Sequence, residues 1–308
     1  MTPRRLLAGF AAAIALLTLG CQRDGGVSAA PSAGPTSTSR AAVSEGARIV
    51  SVGGTVTEIV YALGLGPRVV AVDTSSVFPV NATALPQVGY QRTLAAEGVA
   101  SQRPTLLLLT SEAGPPPAVE QLRGLGVPLH VIPADASPEG AKEKIRLVAA
   151  ALDAKAKGEE LTRTLTAELA AAQALTARAT SKPRVLFIYA RGGGTLMVGG
   201  TGTPAAAMIQ LAAGENAVSA FDGFKPLTAE AVTTVAPDVI LVPSRGLVSL
   251  GGVDGLVAQP GIALTPAGKA RRIVAMDDLL LLGFGPRLGS AVRELGILLH
   301  PELAQASP

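Results

Sequence analysis

Cysteine occurs once, at position 21, so the folded part of the chain has no internal disulfide, no thiolate metal site and no cysteine nucleophile. Tryptophan is absent, aromatic residues make up 3% of the sequence, and Lys and Arg are scattered rather than gathered into a stripe. That combination excludes a nucleic-acid footprint, which needs clustered positive charge. Histidine occurs only at His130 and His300, which leaves little material for general-base chemistry. Beyond the N-terminal region no apolar run reaches the about 18 residues of a membrane-spanning helix. An excess of either charge is missing too. Setting aside Arg4 and Arg5 takes the basic residues from 26 to 24, against 23 acids.

What is present begins with a targeting pattern. Arg4 and Arg5 precede an apolar run from Leu6 to Leu19, too short for a mature span and right for a signal-peptide core. The run ends Leu17-Thr-Leu-Gly20-Cys21, which resembles a bacterial lipobox, in which the cysteine is lipidated and becomes the new N-terminus. Thr18 and Leu19 depart from that pattern, since leucine and a small residue are preferred there. Residues 22–46 are rich in Ser, Ala, Gly, Pro and Thr and read as a flexible tether.

One phrase occurs twice. Leu94-Ala-Ala-Glu97-Gly-Val99, then Pro104-Thr-Leu-Leu-Leu108 four residues later, is echoed by Leu227-Thr-Ala-Glu230-Ala-Val232 and Pro237-Asp-Val-Ile-Leu241. Each copy reads as a short helix bearing a glutamate, a proline stop and a buried strand. Two α/β halves with one carboxylate each suggest two lobes that meet a roughly symmetric partner. Around the phrases the alternation of strand and helix continues. Ile49–Val52 and Val69–Val72 read as strands about a helix Val56–Leu63, which Thr55-x-x-Glu58 opens as a capping box. Strands Leu106–Leu109 and Leu129–Ile132 follow, buried and parallel. From about Pro138 to Thr180 there is no strand signal; a helix to about Ala156 and a long one over Glu159–Ala179 are expected, with Gly158 as the interior break. Strands Val185–Tyr189, Val239–Val242 and Ile273–Met276 then alternate with helices, the last from about Pro286 to Leu299. The expected organisation is a signal segment at 1–21, a linker at 22–46, an α/β lobe at 47–156, a linker helix at 157–181 and a second α/β lobe at 182–308.

The candidates for an iron ligand are few. Tyr61 lies in a helix and His130 in an apolar strand, where both read as core or surface fillers; His300, in the C-terminal tail, reads as solvated. Met197, Met208 and Met276 complete the set after the signal segment. Tyr90 differs, because it follows Gly89 in a loop on the side where such sheets hold ligands, with Arg92 two residues on. Tyr189 ends the first strand of the second half, beside Arg191-Gly-Gly-Gly194, and can face the same cleft. A phenol with a pKa of about 10 is a poor ligand at neutral pH, but ferric iron and a neighbouring cation both favour the phenolate. A hard anionic oxygen suits ferric iron, and tyrosinate is a protein ligand of haem. Thr203-Pro204 offers a helix N-terminus to an anion. The glycines at 192–194 and 199–202 lack the lysine and spacing of a phosphate-binding loop.

Leu85-Pro-x-Val-Gly89-Tyr90-x-Arg92-x-Leu94-x-Ala-Glu97-Gly98-Val99, with Gly283-Phe-Gly-Pro-Arg287, resembles the haem-specific periplasmic binding proteins of bacterial ABC importers, over nearly all of 47–300. The resemblance implies an α/β fold of two Rossmann-like lobes joined by a single long α-helix, with ferric haem b carried in the cleft. Tyr90 matches that family's axial iron ligand and Arg92 its partner arginine. Glu97 and Glu230 match the lobe-top glutamates that dock onto arginines of the dimeric ABC permease. One departure concerns Arg191, which stands where some relatives have a haem-contacting histidine. Arg191 cannot ligate iron but can pair with a propionate, as can Arg245, or Arg245 can contact the Tyr90 oxygen; a five-coordinate Tyr90 site is expected. Attachment at Cys21 would be a further departure, holding the protein at the cell envelope rather than free in the periplasm. Arg287 reads as a structural ion pair. Cobalamin or a ferric siderophore in the same fold is the alternative cargo. An enzyme is disfavoured, as no Ser-His-Asp arrangement is suggested.

Overall fold

The structure, a computed structural model, describes residues 46–190 and 195–306. The first half runs β1 (Ile49–Val52), α1 (Gly54–Ala62), β2 (Val69–Val72), α2 (Ala96–Ala100), β3 (Leu106–Thr110), α3 (Pro116–Arg123), β4 (Leu129–Ile132) and α4 (Pro138–Ala151). A 22-residue helix α5 (Lys155–Thr176) leads out of it. The second half runs β5 (Arg184–Tyr189), β6 (Met197–Gly199), α6 (Pro204–Leu211), β7 (Glu215–Asn216), β8 (Phe224–Pro226), α7 (Ala229–Val235), β9 (Val239–Pro243), α8 (Ser244–Ser249), α9 (Gly252–Val257), α10 (Pro266–Lys269), β10 (Ile273–Met276), α11 (Asp278–Leu282) and α12 (Leu288–Leu299).

The first sheet is parallel throughout, in the order β2-β1-β3-β4. The second has the order β10-β9-β5-β6-β8, with β7 also paired to β5. Its parallel part is β10-β9-β5 with β7, and β6 and β8 add an antiparallel ribbon that the sequence reading missed. Strand β5 shares one edge between two partners. Arg184 and Val185 pair with β7, while Ile188 and Tyr189 pair with β6. The ribbon therefore grows from the C-terminal end of β5.

Alternation along the strands sorts side chains into three cores. Leu106 and Leu108 of β3, with Val185 and Phe187 of β5 and Val239 and Leu241 of β9, face one core that both sheets share. Leu107 and Leu109 belong to a separate core of the first lobe, and Leu186, Ile188, Ile240 and Val242 to one of the second. Strands buried on both faces appear in sequence as unbroken apolar runs, which is how these read. The shared core is filled by Ile145 and Val148 of α4, Leu165 and Leu169 of α5, and Val292 and Leu295 of α12. The two lobes are thus joined by one long helix and by common buried apolar surface, a stiffer joint than loops provide.

Two local expectations need correction. Gly158 does not break the helical stretch; the break falls after Leu152, and Gly158 is buried inside α5 where a Cβ would lie 2.4 Å from that of Ala149. The glycine serves close approach of α4 and α5. Thr55 and Glu58 do not form a capping box either, since the Gly53 cap of α1 has no side-chain hydrogen bond. Both side chains reach the other half of the chain. Thr55 Oγ1 donates to the Gly283 carbonyl at 3.0 Å, and Glu58 accepts from Arg287 Nε and Nη2 at 2.8 and 3.0 Å. Arg287 also lies over the Phe78 ring, 3.6 Å from its centroid. Arg287 is therefore held by a nearly buried carboxylate and an aromatic face.

Candidate functional site

A cleft of about 470 Å³ opens between the lobes, lined by residues that follow the C-terminal ends of strands from both sheets. Gly53 and Gly54 follow β1, Thr74 and Ser75 follow β2, and Glu112 follows β3. Tyr189 ends β5, Arg245 follows β9 and Asp278 follows β10. Ligands of open α/β sheets bind at this edge because the loops there are free to vary while the strands hold them in place.

Tyr90 is positioned by its backbone. The segment before it runs beside β2, with Val72 N donating to Pro86 O at 3.0 Å, Val88 N to Val72 O at 2.9 Å and Thr74 N to Gly89 O at 2.9 Å. Gly89 has φ +96°, a conformation that favours glycine, and the chain turns there into the cleft. Immediately after Tyr90 the Gln91 N–H donates to Asp73 Oδ2 at 3.3 Å. Fully buried Asp73 also accepts from Gly53 N at 2.8 Å, Ser75 N at 3.0 Å and Ser76 Oγ at 2.8 Å, tying the loops after β1 and β2 to the tyrosine loop. The half-buried Tyr90 ring lines the cleft.

Of the residues singled out in the sequence, Tyr90, Arg92, Tyr189 and Arg245 come together in this cleft. Arg92 is exposed and its Nη2 donates to Glu112. The backbone N–H of Arg245, at the start of α8, donates to Asp278 Oδ1 at 3.4 Å. Thr203 does cap α6, accepting from Ala206 N at 3.2 Å, and Pro204 lines the cleft. Glu97 and Glu230 lie away from it, both exposed in the first turns of α2 and α7. Arg191 and Cys21 lie outside the described residues.

The remaining candidates separate clearly. Tyr61 is on α1 against the shared core, where burial raises its phenol pKa. His130 is exposed on the edge strand β4, and Met208 and Met276 are core residues. His300 corrects the sequence reading, which had it solvated. It ends α12 fully buried, with Nδ1 3.7 Å from Glu302 Oε1.

Sequence reasoning missed several cleft residues. Glu112 accepts from both Arg92 and, at 3.2 Å, Gln91 Nε2. Lys144 lines the cleft from α4 although only 4% exposed, and its Nζ donates to the same Gly283 carbonyl at 3.1 Å. Burial lowers its pKa to about 8, against the opposing pull of Asp135 and Glu112. Phe224 of β8 lines the second-lobe wall beside Met197 of β6, which the sequence had put among the candidate iron ligands. No local motif marks Glu112, Lys144 or Phe224, since each arrives at the cleft through partners outside its own segment. The cleft thus combines two phenols, three cations, two carboxylates and apolar or aromatic walls, a lining suited to a large, mostly apolar ligand with anionic groups.

Residues 49–280 match the model of a family described as periplasmic binding protein. This chain belongs to that family. Among solved structures, the apo form of the periplasmic heme-binding protein RhuT from Roseiflexus sp. RS-1 is 46% identical with a TM-score of 0.81, covering 83% of this periplasmic binding protein and 99% of RhuT. The uncharacterized ABC transporter substrate-binding lipoprotein YvrC of Bacillus subtilis (strain 168) is 28% identical over 261 residues, 83% of this chain and 80% of its own. A shorter match, 28% identical over 142 residues, covers 46% of this chain and 50% of the vitamin B12-binding protein of Vibrio parahaemolyticus serotype O3:K6 (strain RIMD 2210633). With these relatives the chain is assigned to the extracytoplasmic binding proteins, and its α/β lobes joined by α5 have the arrangement seen in RhuT.

Proposed function

We propose that this periplasmic binding protein captures ferric haem in its inter-lobe cleft and delivers it to the dimeric permease of an ABC importer, without performing catalysis. The observation that carries the reading is Tyr90, a half-buried phenol held at the cleft by fixed backbone on both sides. Its neighbours are arginines and apolar side chains, a set that suits iron whose equatorial positions are already filled by a porphyrin. Similarity weighs the same way, since RhuT matches over its whole length and the vitamin B12-binding protein over half of its own.

In this reading Tyr90 gives up its proton as ferric iron arrives, because the metal and the Arg92 guanidinium both stabilise the phenolate. Arg92 starts paired with Glu112 and so can answer the new anion without being left as a bare cation. Arg245, with Arg191 and the Lys144 ammonium, offers positive charge to the propionates, and Tyr189 packs against the ring. Glu97 and Glu230 dock one lobe each onto one permease subunit. Cys21 would carry a lipid, in keeping with the lipoprotein YvrC, and residues 22–46 would tether the lobes to the envelope.

Titrating the purified apo-protein with hemin, and separately with cyanocobalamin, tests this reading. Hemin should give a tyrosinate charge-transfer band. In Tyr90→Phe that band should vanish and affinity should fall by at least about tenfold, the equivalent of about 1.4 kcal/mol. Tight cyanocobalamin binding without a hemin response would overturn the haem assignment.

A further inference from the structure

We propose that Phe224 forms the opposite wall of the ligand site, an aromatic ring that stacks on the face of a flat macrocycle turned away from Tyr90, and so selects for planarity. The inference rests on the haem reading and extends it to a residue that gives the cleft its choice among large cargoes.

Aromatic residues are scarce in this chain, six Phe and three Tyr, yet Tyr90, Tyr189 and Phe224 all line one cleft. Tyr90 comes from the first lobe. Tyr189 and Phe224 come from β5 and β8 of the second, so they stand on the facing wall. Phe224 is 42% exposed. A lone exposed phenylalanine is ordinary on a protein surface and means nothing by itself. This one is held. Its ring lies 6.4 Å from that of fully buried Phe187, edge-on at 64°, and 6.1 Å from that of Tyr189 at 55°. Such tilted contacts are favourable aromatic geometry, and at 42% exposure they leave part of Phe224 uncovered.

The ribbon supplies the mount. Gly199 of β6 pairs with Phe224, and a Cβ at Gly199 would lie 3.1 Å from Phe187 Cδ1 and 3.5 Å from Phe224 Cε1. The two rings occupy the space that the glycine leaves. The next residue, Lys225, has its Nζ 4.6 Å above the Phe221 ring, so successive side chains of β8 point apart, as pleating requires. Phe224 is thus presented to the cleft by a strand whose neighbouring charge is engaged elsewhere. A porphyrin bound to Tyr90 through one face leaves a flat apolar face for this ring. A corrinoid with axial groups on both faces cannot lie flat against it.

The test uses the full folded chain and two probes, hemin and cyanocobalamin, with wild type, Phe224→Leu and Phe224→Trp. Leucine keeps an apolar side chain and loses the ring. Tryptophan restores a ring and is then the sole tryptophan, so hemin quenching of its emission gives a second readout. Hemin affinity should fall about threefold to tenfold in Phe224→Leu and recover in Phe224→Trp, the range expected for a ring contact beyond simple burial. The preference for hemin over cyanocobalamin should shrink in Phe224→Leu alone. Far-UV circular dichroism and denaturation midpoints should match in all three proteins. Wild-type affinity for hemin in Phe224→Leu, or equal weakening in the leucine and tryptophan variants, would overturn the stacking role while leaving haem capture intact. Failure of wild type to bind hemin would remove both.

Discussion

Single residues in the cleft differ in how readily sequence reveals them. Tyr90 and Arg92 are legible because a local turn, Gly89-Tyr-x-Arg, places both on one loop. Lys144 is not legible, since what matters is its hydrogen bond to the carbonyl of Gly283, 139 positions away. Its burial makes a sharp statement about pH. The folded-state pKa of about 8 lies below the ordinary lysine value of 10.5, so between those limits the unfolded chain binds the proton that the folded chain has released. Stability therefore rises with pH across that window, and below about pH 8 both states are protonated and the buried charge is a cost. Against Lys144→Met, wild type should gain about 2 kcal/mol between pH 7 and pH 9.5 in urea denaturation. The Gly283 carbonyl keeps Thr55 as a donor in the variant, which limits side effects. A difference between the two proteins that does not change with pH would contradict the buried-amine assignment.

Elements are legible where their signal is long or doubly buried, and illegible where partners are remote. Strands β1, β3, β5 and β9 were evident as apolar runs. The ribbon strands β6 and β8, three residues each, carry no such run and exist by pairing with β5 and with each other. Thr55-x-x-Glu58 has the spacing of a capping box, but long-range partners in Gly283 and Arg287 outcompete the local bonds. Gly158 was misread in the same way, as a break rather than a contact. In an exposed helix, Gly→Ala is stabilising by about 1 kcal/mol. Here the new methyl would fall 2.4 Å from the Ala149 Cβ, and overpacking of that kind costs about 1–3 kcal/mol. Gly158→Ala should therefore lower the urea midpoint, and adding Ala149→Gly should restore most of the loss. A stabilised Gly158→Ala would show that α4 and α5 pack less closely than described.

At the scale of the whole molecule, the repeated phrase proves to be a repeated piece of structure. Val99 and Val232 are both buried, Glu97 and Glu230 both open the first turn of an exposed helix, and Pro104 and Pro237 both lead into a central strand. The likeness reaches details that sequence could not show. Arg103 and Ala236, each just before the proline, both have positive φ, at 48° and 41°. Thr105 and Asp238, each just after it, both accept a backbone N–H at 2.9 Å, from Arg48 just before β1 and from Arg184 at the start of β5. Two lobes built alike, each with an exposed glutamate at the equivalent position outside the cleft, are what the proposed docking onto a two-fold permease requires. Reversing both charges with Glu97→Lys and Glu230→Lys should leave hemin affinity unchanged and abolish uptake in cells expressing the importer; loss of hemin binding instead would contradict separate capture and docking surfaces. Capture itself is tested most directly by a crystal structure of the hemin-loaded protein. The porphyrin should lie between the lobes with its iron bonded to the Tyr90 oxygen, and iron bonded to any other residue, or a porphyrin outside the cleft, would refute the central claim.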